Sequence, residues 1–212
     1  MNLTDIKTIV FDLGGVLLTL NHGRAVERFV SIGLADADEF LDPYHQNGVF
    51  LDLEEGKVSE EEFFAEVRKL TGRPEVTDED IRWAWLGFIE ERPLYKLAML
   101  EDLRQRGYEL YLLSNTNPCV MSWALSPDFS PGGKSLADYF DKLYLSYRMG
   151  CVKPGKEIFE QMIADSGLVP DATLFIDDGP ANIKVGNELG FKTLQPLNGE
   201  DFRATLNDML MC

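Results

Sequence analysis

Three carboxylates, one lysine and a serine-asparagine pair are the residues of this chain whose types and settings can do chemistry together. They are Asp12 in Phe11-Asp12-Leu13-Gly14-Gly15, Ser114-Asn115 in Leu112-Leu113-Ser114-Asn115-Thr116-Asn117, Lys153 in Val152-Lys153-Pro154, and Asp177-Asp178 in Phe175-Ile176-Asp177-Asp178-Gly179. Carboxylates act as nucleophiles or hold hard cations, while a hydroxyl and an ammonium bind anionic oxygens. Singly, each has an ordinary explanation: a turn cap at Ser114, a solvated helix-start lysine at Lys153, a surface turn at Asp177-Asp178. Their joint occurrence is the signal, because each follows an apolar run or opens a helical one.

The elements that would position them are legible. Thr8-Ile9-Val10-Phe11 is a buried β-branched strand that delivers Asp12, with strand character read through to Leu18, and the glycines after Asp12 admit close approach of a ligand or a second stretch of backbone. Glu109–Leu113 and Ala172–Ile176 are the strands that deliver Ser114 and Asp177; Lys142–Ser146 and Lys192–Leu194 are two more. Helices alternate with them: one with Pro93 at its first position running to Arg106, one through Ile158 to Met162 that stops at Gly167, and one ending at Gly190. This rhythm predicts an α/β fold, a Rossmann-like parallel sheet with helices on both faces. All strands of such a sheet end along one edge, so side chains far apart in sequence converge there.

Residues 19–90 break the alternation. They read as helix throughout: apolar spacing from Gly23 to Gly33, a capping box at Ser59-Glu60-Glu61-Glu62 with Gly72 as the stop, and a further helix opened by Thr77 that carries Trp83, Leu86 and Ile89. The expectation is a core of residues 1–18 and 91–212 with an inserted all-helical cap, 19–90.

Phe-Asp-Leu-Gly-Gly-Val-Leu, Leu-Leu-Ser-Asn-Thr-Asn, Lys-Pro and Phe-Ile-Asp-Asp-Gly-Pro-Ala-Asn together resemble the four motifs of the haloacid dehalogenase-like hydrolase superfamily, and the likeness spans the chain. Within it the chain is most similar to small bacterial sugar-phosphate phosphatases of the α-D-glucose-1-phosphate phosphatase type, and to the phosphatase domain of soluble epoxide hydrolase. The resemblance implies a phosphatase in which Asp12 attacks phosphorus to form an aspartyl-phosphate. It implies Mg²⁺ held by Asp12, Asp178 and the Gly14 carbonyl, and phosphate bound by Ser114, the Asn115 backbone and Lys153. Asp177 and Asn182 would orient these groups. The turn around Gly56 would reach over the site and contact the rest of the substrate. A small phosphorylated metabolite, a sugar phosphate above all, is the substrate such a cap favours.

The sequence departs from the family at Gly14, where an aspartate usually serves as general acid and base. Such help is typically worth about 10²–10⁴-fold. Another side chain substitutes, with His22 and His45 as candidates, or the leaving group is good, or turnover is slow; a working but slow phosphatase is the expectation. Two other readings stay open. A 2-haloacid dehalogenase uses the same aspartate on carbon without a metal, and the Asp177-Asp178 pair argues against it, being repulsive without a cation. A non-catalytic phosphate-ligand binder would follow from the loss at Gly14.

Composition limits the partners. Of 212 residues, 36 are Asp or Glu against 20 Lys or Arg, and a net charge of −16 disfavours nucleic acid and anionic membranes. Three scattered cysteines, Cys119, Cys151 and Cys212, lack metal-ligand spacing and read as free thiols of a reducing compartment. No leader and no apolar run of membrane length is apparent, so the expectation is a cytoplasmic monomer or weak homodimer.

Overall fold

The computed structural model describes residues 6–42 and 46–211. Among the described residues the first element is β1 (Thr8–Phe11), and the short β2 (Thr19–Leu20) leads into the helices α1 (His22–Ser31), α2 (Ala37–Phe40), α3 (Gly48–Glu54), α4 (Glu60–Thr71) and α5 (Asp78–Trp85). It returns through β3 (Ile89–Glu91). Alternation then follows: α6 (Leu94–Gln105), β4 (Glu109–Ser114), α7 (Pro118–Ala124), β5 (Lys142–Leu145), α8 (Ser146–Met149), α9 (Lys156–Ser166), β6 (Thr173–Ile176), α10 (Pro180–Glu188), β7 (Lys192–Leu194) and α11 (Arg203–Met211).

Five strands form one sheet in the order β5-β4-β1-β6-β7, all parallel. Thr8 to Phe11 pair with Glu109 to Leu112 on one side and with Thr173 to Ile176 on the other. This register sets Asp12 beside the ends of β4 and β6. Period-two alternation splits the strands between two cores. Ile9, Phe11, Leu110, Leu112, Leu174 and Ile176 pack with α6 and α11; Val10, Tyr111, Leu113 and Phe175 pack with α9 and α10.

The helical lobe has its own core. Phe50 of α3 meets Phe29, Phe63 and Trp85 at ring-centroid distances of 5.2, 5.0 and 5.4 Å, and all four are buried. Fully burying one such ring contributes about 1.5–3 kcal/mol. α4 starts on the Ser59–Glu62 capping box and stops at Gly72 in the left-handed region; Thr77 and Asp80 form a second box at α5.

Three expectations shift. Strand pairing stops at Phe11, and Leu13 to Leu18 fold back as a turn, the Leu17 and Leu18 amides both donating to the Leu13 carbonyl. Val16, Leu17 and Leu18 are apolar because that turn is buried in the core, which mimics strand patterning. Pro93 is the N-cap of α6 with extended ψ of 112°, not its first helical residue. Between lobe and sheet lies an antiparallel ribbon, β2 with β3, too short to carry a readable period.

Candidate active site

Asp12 sits where β1 leaves the sheet. Its carboxylate accepts from the Leu13 amide at 2.7 Å and lies 2.9 Å from Lys153 Nζ. Lys153 Nζ also donates to Asp177 Oδ2 at 2.6 Å. The other Asp177 oxygen accepts from the Gly179 amide at 2.8 Å and from Asn182 Nδ2 at 2.9 Å. Asp177 is thus fully engaged in holding Lys153 and the turn after β6. Asp178, one residue on, keeps its carboxylate at the cavity.

The Asn115 side chain is committed to backbone: Nδ2 donates to the Lys153 carbonyl at 2.9 Å, and Oδ1 accepts from the Lys153 amide at 2.8 Å. This pair ties the loop after β4 to the loop that carries Lys153. Ser114 is buried at the end of β4, and its Oγ donates to the Asn115 carbonyl at a long 3.3 Å. Gly15 is required by space as well as by conformation. Its φ is +72°, and a Cβ there would lie 2.1 Å from Asp178 Oδ2.

One cavity gathers these groups. Asp12, Gly14, Ser114, Asn115, Lys153, Asp178 and Asn182 line it from the core as its floor, with Leu20 against Gly14, and Gln46, Glu54, Trp85 and Phe88 line it from the cap. The remaining expected residues lie elsewhere. Gly56, with φ +65°, is absent from that lining; a Cβ on it would fall 2.2 Å from the Tyr147 carbonyl oxygen, so its turn packs on α8 of the core. His22 donates from Nε2 to the Leu41 carbonyl at 2.8 Å within the cap and does not line the cavity. His45 lies outside the described residues.

Sequence reasoning passed over Glu54. It falls in an acidic turn, yet it shares the buried stripe of α3 with Phe50 and Leu53, at positions i, i+3 and i+4, and is itself buried. Its carboxyl lies beside the Asn117 side chain, which favours the charged form against the effect of burial. That spacing was the available signal.

Electrostatics set what the floor can hold. Asp12, Asp177 and Asp178 each offer an oxygen, all within 4.8 Å of one another, against the single ammonium of Lys153. Burial pushes Asp12 up to about 7, with Lys153 opposing and the other two carboxylates adding. Burial and Asp177 push Asp178 up to about 6. Burial draws the Lys153 ammonium down, but Asp12 and Asp177 outweigh it and hold the pKa above the ordinary lysine value. Three carboxylates against one ammonium leave a deficit that a divalent cation fills, and an all-oxygen donor set suits Mg²⁺. Protons and metal compete for Asp12 and Asp178. Lowering the pH from about 8 to about 5.5, through both raised values, is therefore expected to weaken Mg²⁺ binding progressively, measured as a shrinking Mg²⁺-induced rise in melting temperature. A rise that does not change with pH would contradict it.

A model of haloacid dehalogenase-like hydrolases matches residues 6–190. A D-ribitol-5-phosphate phosphatase from Bacteroides thetaiotaomicron is 55% identical over 205 residues, covering 97% of this chain and 98% of that one. The solved structure of a predicted HAD-like family hydrolase from Porphyromonas gingivalis superposes with a TM-score of 0.92 at 49% identity, over 97% of this chain and 98% of that one. An HAD family enzyme from Bacteroides thetaiotaomicron, determined in complex with magnesium and inorganic phosphate, superposes with a TM-score of 0.85 at 40% identity, over 94% and 98%. With the four motifs brought to one sheet edge beneath a helical lobe, and with these matches along nearly its whole length, the chain belongs to the haloacid dehalogenase-like hydrolase family.

Proposed function

We propose that this hydrolase cleaves a small acyclic polyol phosphate, of the D-ribitol 5-phosphate kind, by way of an aspartyl-phosphate on Asp12. The broader activity, Mg²⁺-dependent hydrolysis of a small phosphorylated metabolite, rests on the family, the phosphatase relative and the magnesium complex. The observation that carries the mechanism is the placement of Asp12 within 2.9 Å of buried Lys153, beside Asp178 and the end of β4.

Lys153, the Ser114 hydroxyl and the main chain at Asn115 bind the phosphoryl oxygens, so the negative charge of the transferring group meets fixed donors that need no reorganisation. Asp12 attacks phosphorus, the ester bond breaks, and water then attacks the aspartyl-phosphate to return Asp12 and release inorganic phosphate. Mg²⁺, held by Asp12, Asp178 and the Gly14 carbonyl, supplies charge neutralisation and alignment. Asp177 and Asn182 keep Lys153 and the turn after β6 in place. The cap wall mixes Gln46, Glu54 and the neighbouring Asn117 with Trp85 and Phe88. Polar groups among apolar ones suit a hydroxylated carbon chain, and a covered cavity excludes polymers. The buried free thiols of Cys119 and Cys151 suit a cytoplasmic setting.

The test is phosphate release across sugar, polyol and nucleoside phosphates, with Mg²⁺ and with EDTA. Release that needs Mg²⁺, with the highest kcat/KM on five-carbon polyol phosphates, is expected. Preference for cyclic sugar phosphates would overturn the substrate, and metal-independent dehalogenation of chloroacetate would overturn the reaction.

A further inference from the structure

The phosphatase reading leaves one reacting atom unattended. The ester oxygen of a polyol phosphate leaves as an alkoxide unless a proton reaches it, and Gly14 has no side chain to carry one. The Leu20 side chain packs over that position, its Cδ1 2.8 Å from where a Gly14 Cβ would lie. The donor must therefore come from another direction. Ser114, Asn115, Lys153 and Asp178 belong to the phosphate and metal side of the cavity, leaving the cap wall for the leaving group.

Among the described residues that line that wall, Glu54 is the one ionisable side chain. It stands at the end of α3, is buried, lines the same cavity as Asp12 closely enough to feel the Asp12 and Lys153 charges, and has the Asn117 side chain as its polar neighbour. We infer that Glu54, carried on the cap, is the proton donor to the leaving alcohol and the base for the attacking water, doing from above what the missing aspartate would do from below. This rests on the phosphatase reading. In the first half-reaction an Asp12 oxygen bonds to phosphorus while the phosphorus–ester oxygen bond breaks, and the Glu54 proton moves to that oxygen to give the alcohol. In the second, Glu54 takes a proton from water as the water oxygen bonds to phosphorus and the bond to Asp12 breaks. Inorganic phosphate leaves with Asp12 ionised and Glu54 protonated again, so the cycle closes. Burial raises the Glu54 pKa to about 8, which supports a protonated resting form near neutrality.

Placing the proton donor on the cap links chemistry to closure: the group arrives only when the lobe lies over the sheet edge. It also separates this role from recognition of hydroxyl groups, because a donor to the leaving oxygen is sensitive to leaving-group basicity whatever the shape of the substrate. The experiment uses substituted phenyl phosphates, from p-nitrophenyl to p-methoxyphenyl phosphate, which share a shape and have no polyol hydroxyls, alongside ribitol 5-phosphate. Wild-type kcat/KM is expected to depend weakly on leaving-group basicity. Glu54→Gln is expected to lower kcat/KM for the alkyl ester by about 10²–10⁴-fold and for p-nitrophenyl phosphate far less, with an unchanged melting temperature showing that the variant is folded. The aryl series should steepen between those limits, and rapid mixing with p-nitrophenyl phosphate should show a burst followed by slow turnover. Parallel lines for wild type and variant, or a loss confined to the polyol ester, would overturn the role of Glu54 while leaving the phosphatase intact. A wild-type protein that turns over none of these esters would overturn both.

Discussion

Asp12→Asn is expected to reduce turnover to background, a fall of about 10⁴–10⁶-fold, with the fold retained. The amide has nearly the shape of the carboxylate and can still meet the Leu13 amide through its oxygen, but it has no charge with which to attack phosphorus. Stability should not suffer. Burial holds the Asp12 pKa near 7, so at pH 7–8 the ionised side chain is an unfavourable charge in the metal-free protein, and a neutral amide relieves it. Lys153 keeps its 2.6 Å bond to Asp177. A melting temperature equal to or above wild type without Mg²⁺, together with absent phosphate release, is the paired readout. Retained turnover would move the nucleophile elsewhere.

Lys153→Met is expected to damage both properties. Lys153 is 1% exposed and bridges Asp12 and Asp177, so its loss leaves two buried carboxylates facing each other without a cation. Removing one partner of a buried ion pair typically destabilises by about 3–5 kcal/mol. The pH dependence has a definite sign. The folded Asp12 pKa is already raised above the unfolded value of 3.8, and Lys153 opposes that rise, so the variant holds it higher still. A carboxyl whose pKa is raised by folding destabilises the fold where it is ionised, and the penalty fades as pH falls through the folded value toward the unfolded one. Melting temperatures of the variant should therefore recover between pH 8 and pH 5 by more than those of wild type. Turnover should fall by at least about 10²–10³-fold, because a fixed positive charge on the transferring group is gone. Mg²⁺ should restore part of the stability and little of the activity.

Much of the cavity floor was legible from the sequence because Asp12, Ser114 and Asp178 stand at the ends of strong apolar runs. The buried strand before Asp12, the run before Ser114 and the run before Asp177 need no tertiary knowledge to place on one edge of a parallel sheet. The cap wall was not. Glu54 stands next to Glu55 and Gly56 in the turn expected over the site, and its spacing with Phe50 and Leu53 separates it from its acidic neighbour only once the bounds of α3 are known. Gly56 illustrates the converse: a glycine suited to touching substrate lies against the Tyr147 carbonyl because two backbone segments meet there. The ribbon of β2 and β3 escaped notice because strands of two and three residues have no periodicity to detect.

The position of β1 has a bearing on how the protein is made. The central strand of the sheet is β1, yet its partners are β4, encoded after the entire cap, and β6, encoded later still. At ordinary elongation rates of about 5–20 residues per second, the segment bearing Asp12 waits on the order of ten seconds or more for both neighbours. During that interval Ile9, Val10 and Phe11 form an unsheltered apolar stretch that invites chaperones or misassembly, whereas the helical lobe, built from sequence-local contacts, can consolidate at once.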